Sequence, residues 1–202
     1  GDIYYRIDSG DFIKYYFPFS IDSSCVVKAI LIGDEGRILY ESDQKFEISK
    51  TSGAKISLEN TPSEKYNYGG AYTLVNGISG MVPWNGIEWL GFLNNDLIAV
   101  IDFGQTERIS RCEIHSLESP ASWIHLPIEI RVYTSRKGKR FRLISVIDRE
   151  EIQEQGRIIY ADFKPRKARY LKAEVIKKDI IPDGMQGAGH KAWLFVSLIS
   201  AE

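Results

Sequence analysis

The stretch Ile128-Glu129-Ile130-Arg131-Val132 alternates apolar and charged residues at every position. Because successive side chains of a β-strand point to opposite faces, this pattern predicts a strand with one buried face and one face in water. The stretch Leu171-Lys172-Ala173-Glu174-Val175 repeats the alternation. Helical periodicity is nearly absent from the rest of the chain, so the sequence predicts an all-β protein.

Further strand-like runs follow one another at short intervals, separated by turn signals. The runs Gly33–Gly36 and Arg136–Lys139 each lie between two of them, and both predict hairpins in which glycine takes a positive φ. Such a density of strands is typical of a β-sandwich or a jelly roll. Strands are predicted at 26–32, 37–40, 45–48, 97–103, 110–117, 141–147, 158–163 and 193–199.

The polar stretch Lys50–Lys55 has no apolar periodicity and predicts a domain boundary at about residues 50–57. We therefore divide the chain into domains 1–55 and 56–202. The first is too short for a seven-stranded sandwich, which needs roughly 100 residues. We expect it to be incomplete, or to rely on the second domain to cover its apolar face.

The composition excludes several classes of protein. The 202 residues carry 26 Lys and Arg against 27 Asp and Glu, a net charge of -1, so no overall field would attract nucleic acid or an anionic membrane. No apolar run approaches the ~18 residues of a membrane-spanning helix. Cys25 and Cys112 lie in different predicted domains, and they are either two buried free thiols or a disulfide between the domains.

The sequence has no recognisable catalytic or metal site. His115, His125 and His190 are scattered and match no zinc-binding spacing. The adjacent carboxylates Asp34-Glu35 lie in a predicted hairpin, and Glu150-Glu151 lie in a polar stretch. Solvated carboxylates have no surroundings that would raise a pKa for acid catalysis. We therefore expect no catalysis from this chain.

Aromatic and polar residues occur together in two predicted loops. Trp84 and Asn85 lie in a loop that contains glycine and proline, and Trp123 and His125 follow Pro120 in another. A sugar presents flat C–H faces and hydroxyl groups, so a sugar site needs aromatic platforms with polar side chains around them. Both loops offer this combination, and Trp84 is the best candidate platform.

Two other tryptophans are interpreted as structural. Trp193 lies in the apolar run Ala192–Val196 and is assigned to the core, and Trp89 is also expected to be structural.

A basic cluster offers a different kind of binding. It could hold an anionic polymer such as nucleic acid or a sulfated glycan, or it could simply keep a hairpin tip soluble. Aromatic residues that would stack on bases are not interleaved with it. The cluster consists of Arg136, Lys137, Lys139, Arg140 and Arg142, together with Lys164, Arg166, Lys167 and Arg169.

A series of motifs in the second domain follows the order found in one known family. They are Tyr66–Gly70, Thr73–Ile78, Trp89–Phe92, Asp96-Leu97, Val100–Gly104, Ser122–Pro127, Ala168–Tyr170 and Gly187–Val196. This series resembles the discoidin, or coagulation factor V/VIII type C, domain, and more narrowly the discoidin module of bacterial β-hexosaminidases, the chitobiases. The opening segment, with Tyr16–Ser20 and Cys25–Ala29, resembles the small Fn3/Ig-like chitobiase C-terminal domain.

The resemblance implies a partial Fn3/Ig-like β-sandwich segment followed by an eight-stranded antiparallel jelly roll of the galactose-binding-like fold. It also implies carbohydrate binding by the tip loops, and no catalysis, since the family's chemistry belongs to a separate (β/α)₈ barrel. The candidate sugar-binding residues are Trp84, Asn85, Glu118, Trp123, His125, Asp183 and His190.

Many relatives hold a structural calcium ion with carboxylates at the position of Asn76 and near Ser197-Leu198. This chain has no carboxylate at either place, and a hard oxygen site loses most of its Ca²⁺ affinity without them. We therefore expect no cofactor and no bound calcium, with Asn76 only a weak candidate ligand.

The resulting hypothesis is a non-catalytic accessory region of an exported, extracellular or periplasmic bacterial glycoside hydrolase of the β-N-acetylhexosaminidase type. It would tether an upstream catalytic domain to glycans with terminal hexosamine or galactose, without nucleic-acid binding or a membrane span. The alternative is a structural module that packs on the catalytic domain and binds no sugar.

Overall fold

The computed structural model describes residues 1–82, 84 and 86–202. The chain forms two compact units, Gly1–Ile48 and Ser49–Glu202. Among the described residues, no helix combines the length and the apolar character needed to cross a membrane.

The first unit is one antiparallel sheet. Its strands are β1 (Asp2–Ile7), β2 (Ile13–Lys14), β3 (Cys25–Ile32) and β4 (Ile38–Phe46), in the order β2-β1-β3-β4. The hairpin between β3 and β4 turns at Glu35 and Gly36, which both have positive φ. Of its apolar side chains only Cys25 and Ile30 are buried, whereas Phe17 is 80% exposed. Its likeness to an Fn3 domain stays a prediction.

The second unit is also antiparallel throughout. Its sheet has the order β6-β11-β7-β10-β8-β9, and β5 pairs with β7. Short 3-10 turns occupy Glu64–Tyr66, Gly70–Val75 and Pro120–Ser122. The elements are β5 (Lys55–Leu58), β6 (Leu90–Phe92), β7 (Leu97–Ser116), β8 (Glu129–Ser135), β9 (Arg142–Ile147), α1 (Arg149–Gln155), β10 (Ile158–Ile176) and β11 (Leu194–Ala201).

Two long strands curl this sheet around one core. Residues 97–102 of β7 pair with β5 and with the end of β10, whereas residues 112–116 pair with β11 and with the start of β10. Between these halves β7 is exposed at Gly104, whose φ is +78°, and β10 shifts register after Asp162 and again after Ala168. Bulges of this kind bend a strand. The two halves therefore form two layers, and the all-β jelly-roll prediction is confirmed.

An ion pair joins the two long strands at the bend. The Arg169 guanidinium donates through Nε and Nη2 to the two carboxylate oxygens of Asp102, at 2.8 and 2.9 Å. The same carboxylate accepts the Gly104 N–H at 2.8 Å. The hydrogen bonds from Arg169 are the main reason that the pKa of Asp102 is lowered to about 2. The carboxylate thus stays ionised and fixes the turn at Gly104.

The core lies between the two layers. Every described residue of β11 is buried, and the halves of β7 contribute Leu97, Ala99 and Ile101 from one layer and Ile114 from the other. A fully buried aliphatic side chain of this size stabilises a fold by roughly 1.5–3 kcal/mol.

One helix was not predicted. The polar stretch that contains Glu150-Glu151 forms α1, which begins after the N-cap Asp148. The Asp148 carboxylate accepts the N–H groups of Glu150 and Glu151, and the Glu151 carboxylate accepts the Asp148 N–H, a complete capping box. The sequence signal is Asp148 followed three residues later by Glu151.

Both cysteines are free and buried, so the disulfide alternative is not realised. Cys112 lies in the core between the layers, and burial raises the pKa of its thiol to about 12.

We expect the Cys112 thiol to resist a thiol reagent in the native Cys25→Ser variant, because the thiolate is the reactive form and burial suppresses it. Labelling with a chromogenic disulfide at about pH 8, near the pKa of a free thiol, should be slow until denaturant unfolds the protein. Rapid stoichiometric labelling without denaturant would contradict the buried position.

Candidate functional site

Four loops emerge at one end of the second unit. The end of β5 pairs with the start of β7 at Leu58 and Ala99, and the start of β8 pairs with the end of β10 at Glu129 and Ile176. Strand pairing therefore places segments 59–69, 93–96, 117–128 and 177–193 together.

Hydrogen bonds tie these loops to one another. The Asp96 carboxylate accepts the Lys177 N–H at 2.9 Å, and the Asn60 amide donates to the Asp96 carbonyl at 3.0 Å. The Trp193 N–H donates to the Trp123 carbonyl at 2.9 Å. The loop end is thus tied together by hydrogen bonds, two through side chains and one between backbone groups, that join segments far apart in the sequence.

Aromatic rings fill the space beneath the loops. Tyr66, Trp193 and Phe195 contact one another with centroid distances of 4.8 to 5.9 Å, and Trp84 joins them edge-on at 5.4 Å from Tyr66. The cluster packs on the buried Trp89, as expected for a structural tryptophan. Each such pair stabilises the fold by about 0.5–1.5 kcal/mol beyond area burial.

Trp84, the predicted platform, belongs to this cluster. It is half-buried, its ring meets Phe195 at 5.5 Å, and its Nε1–H lies 3.3 Å from the Ser122 hydroxyl. These contacts cover part of the Trp84 side chain. Its predicted partner Asn85 lies outside the described residues.

Trp123 and His190 form a stacked pair at the loop end. Their centroids are 4.7 Å apart with an interplanar angle of 15°, and His190 is exposed whereas Trp123 is half-buried. Trp123 has the left-handed conformation, φ +63°, and its ring lies against the backbone of Gly187. The structure thus brings two of the candidate residues together, and the outer face of the imidazole continues the aromatic surface.

His125 lies below the surface at 3% exposure, so it is not presented to a ligand at the loop surface. Its backbone N–H donates to the Trp193 carbonyl at 3.0 Å, while the ring nitrogen Nε2 has no partner among the described residues. Burial and then the positive charge of Lys178 lower the pKa of the imidazole. His125 is therefore a neutral group that supports the loops from below.

Glu118 and Asp183 are both exposed, on different loops of this end. Glu118 acts electrostatically on Lys178, where it opposes the lowering of the lysine pKa by burial. The described contacts bring neither carboxylate into the Trp123–His190 pair.

A small cavity at the loop end was missed by the sequence analysis. Its volume is about 160 Å³, and its lining includes Trp193, which packs on the core cluster as expected but is only half-buried. Asn94 and Asn95 are exposed in the same lining, and the Lys191 ammonium donates to the Asn94 side-chain oxygen at 2.9 Å. The complete lining is Thr61, Pro62, Ser63, Leu93, Asn94, Asn95 and Trp193.

The available signal for this cavity was the amide pair Asn94-Asn95 just before the predicted strand at 97–103. Paired asparagines there also fit a simple turn, so the residues alone favour neither interpretation.

The position considered for calcium does not fit a metal ion. The Asn76 side-chain oxygen accepts the Ile78 N–H at 2.8 Å, so it is already engaged in a local turn. Across residues 1–82, 84 and 86–202, no group of three or more His, Cys, Asp or Glu side chains could hold a metal.

Several solved structures of other proteins share the fold of this chain. The lectin domain of lectinolysin, solved with Lewis B antigen, has a TM-score of 0.55 at 14% identity and covers 77% of this chain and 96% of its own. CpGH89CBM32-5 from Clostridium perfringens, solved with GalNAc-β-1,3-galactose, has a TM-score of 0.54 at 12% identity, covering 76% and 99%. Chitosan-binding module 1 from a Paenibacillus sp. IK-5 chitosanase/glucanase has 0.53 at 7%, covering 77% and 99%.

No family model and no curated protein matches the sequence. At these identities the solved structures establish a shared fold and nothing further.

Replacing Gly187 with alanine should displace the Trp123 ring. The new Cβ would lie 2.4 Å from Trp123 Nε1. Gly184 is the matched control, because its φ is also +83° but no atom lies within 4 Å of its Cβ position. We expect Gly187→Ala to lower the free energy of unfolding by about 1–3 kcal/mol more than Gly184→Ala, by denaturant titration. Equal losses would contradict the packing of the ring on Gly187.

The neutral state of His125 makes stability depend on pH. The folded-state pKa lies below that of a free imidazole, about 6.5, so only the unfolded chain gains a proton as the pH first falls below that value. The unfolding free energy of the wild type should therefore fall with acidification from that pH downward.

His125→Gln should make this decline shallower, measured by urea titration across the same pH range. At slightly alkaline pH the imidazole is neutral in both states, so the variant there reports only the packing change. An unchanged decline in the variant would contradict a buried neutral His125.

Proposed function

We propose that the second unit is a non-catalytic carbohydrate-binding module whose loop end holds a neutral sugar. The observation that carries the proposal is the cavity beside Trp193. Its lining combines the half-buried Trp193 with the amide residues Asn94 and Asn95 and the hydroxyl-bearing residues Thr61 and Ser63. A pyranose ring needs this pairing of a flat apolar surface with hydrogen-bonding groups.

The stacked pair of Trp123 and His190 offers a second contact surface at the same end. Its imidazole is exposed, so a sugar face could continue the stack without moving Trp123. The fold shared with a lectin domain and a chitosan-binding module supports the proposal, because those neighbours are described as binders of sugars.

The finer proposal concerns the ligand and the parent protein. We propose terminal hexosamine or galactose as the ligand, and an exported β-N-acetylhexosaminidase-type glycoside hydrolase, acting outside the cytoplasm, as the parent. A small cavity of this size suits one terminal residue better than a long chain. Millimolar binding contributes only about 4 kcal/mol, yet it raises the local concentration of substrate around an attached enzyme.

A second candidate function is a structural module without a sugar ligand. The observation in its favour is the coverage of the predicted platforms: Trp84 packs into the aromatic cluster and one face of Trp123 is covered by His190. In this case Trp84 and Trp123 stabilise the loops and do not contact a ligand.

The test is a titration of the whole chain with N-acetylglucosamine, N-acetylgalactosamine, galactose and chitobiose, followed by NMR chemical shifts. We expect saturable shifts near Trp193, and Asn95→Ala should weaken binding about fivefold, since one hydrogen bond contributes about 1 kcal/mol. His190→Ala tests the stacked pair separately.

Gln153→Ala on the exposed side of α1 is the matched control and should bind as the wild type does. No response to any of the four sugars up to about 50 mM would overturn the proposal for these ligands and favour the structural module.

A further inference from the structure

A basic cleft lies at the other end of the second unit. The hairpin that joins β8 to β9 follows Ser135, which pairs with Tyr170, whereas the loops of the sugar site adjoin the opposite end of β8 at Glu129. The hairpin contains Arg136, Lys137, Lys139 and Arg140, all exposed.

The hairpin is built on a fixed support. The Ser135 hydroxyl accepts the N–H groups of Lys137 and Gly138 at 3.3 and 3.0 Å. Gly138 has φ +71°, and the Tyr170 ring lies so close beneath it that a Cβ would be 3.1 Å from the ring. The backbone that carries the four cations is thus held by a buried serine and an aromatic ring.

The four cationic residues and Ser135 line an open cleft of about 410 Å³. The lining contains no carboxylate. In the part of the chain that the structure describes, none of the four takes part in an ion pair. The neighbouring basic residues differ: Arg169 is paired with Asp102, and Arg131 with Glu129.

Four unpaired cations around one cleft repel one another, so an anionic ligand would relieve that repulsion. Arginine presents a planar fork that matches a carboxylate or a sulfate, and lysine adds a compact positive charge. Ligand clefts commonly have volumes of about 300–1,000 Å³, and this one lies within that range.

We propose that this cleft binds an acidic oligosaccharide through its sulfate or carboxylate groups. The lining has no aromatic side chain on which a base could stack, which disfavours single-stranded nucleic acid. Because the net charge is -1, the chain as a whole does not attract an anion, so any attraction must come from a local cluster of cations such as this one. The proposal does not rest on the neutral-sugar site, because the two sites lie at opposite ends of β8.

The test compares the wild-type chain with a triple variant, Arg136→Gln, Lys137→Gln and Arg140→Gln. Binding is measured by calorimetry with a heparin hexasaccharide, an oligogalacturonate hexamer and oligothymidylate, between about 50 and 300 mM salt. Heparin carries sulfates as well as carboxylates, whereas oligogalacturonate carries only carboxylates, so binding of heparin alone would assign the interaction to sulfates and binding of both would show that carboxylates suffice. Lys55→Gln, Arg149→Gln and Arg157→Gln form the control triple, with the same charge removed at other exposed positions.

We expect at least one acidic oligosaccharide to bind, with an affinity that falls as salt is raised. The hairpin variant should lose about tenfold or more, and the control triple less than about twofold. Failure of both acidic oligosaccharides to bind overturns the proposal, as do equal losses in the two variants. Tighter binding of oligothymidylate than of either glycan also overturns it, in favour of nucleic acid. Thermal unfolding of both variants checks that the hairpin remains folded.

Discussion

The bend that β7 and β10 share is the constraint on which the second unit depends. Straight strands of this length would make an open sheet with one apolar face exposed, whereas the bend turns Ile101 and Ile114 toward the same core. The Asp102–Arg169 pair is partly solvated, and pairs of that kind contribute about 0–1 kcal/mol. Its role is therefore geometric: apolar burial drives the sheet to close, and the ion pair with the Gly104 turn decides where it folds.

The bend lies at the hairpin end of the unit, because Asp102 beside the bend and Ser135 before the hairpin both pair with Tyr170, and the two ends of the unit differ in chemistry. At the loop end, connections between the layers bring Trp193 beside Asn94 and Trp123 beside His190. At the hairpin end, β8 and β9 are neighbours in one layer, and their short connection carries charge without any apolar ring in the cleft lining. A flat ring with amides suits a neutral sugar, and unpaired cations suit an acid group, so the two ends would not compete for one ligand.

Much of the fold could be predicted because strand alternation is a local property. The alternation at residues 128–132 and 171–175 correctly predicted β8 and the end of β10, and the glycines in the two turns correctly predicted both hairpins. The runs at 97–103 and 110–117 form the single strand β7: the polar residues at the bend interrupt the apolar pattern, but Glu107, Arg108 and Ile109 still pair with β10 between the two runs. Helix α1 was missed because its seven residues are too few to show a helical period, although the capping pair was present.

The site was less predictable, because its contacts join segments far apart in the chain. Trp193 was assigned to the core because it lies in the apolar run Ala192–Val196, and it does pack on the core cluster, but it precedes the fully buried strand β11 and is itself only half-buried. Trp123 stacks on His190 only because residue 123 is left-handed and a glycine at 187 admits the ring. An L-residue in this conformation costs about 1–2 kcal/mol, a strain that the bond from Trp193 and the packing on Gly187 must offset. The strained residue Trp123 stacks on the exposed imidazole of His190. Because the fold itself holds Trp123 in this conformation, the stacked pair is a preorganised feature of the loops.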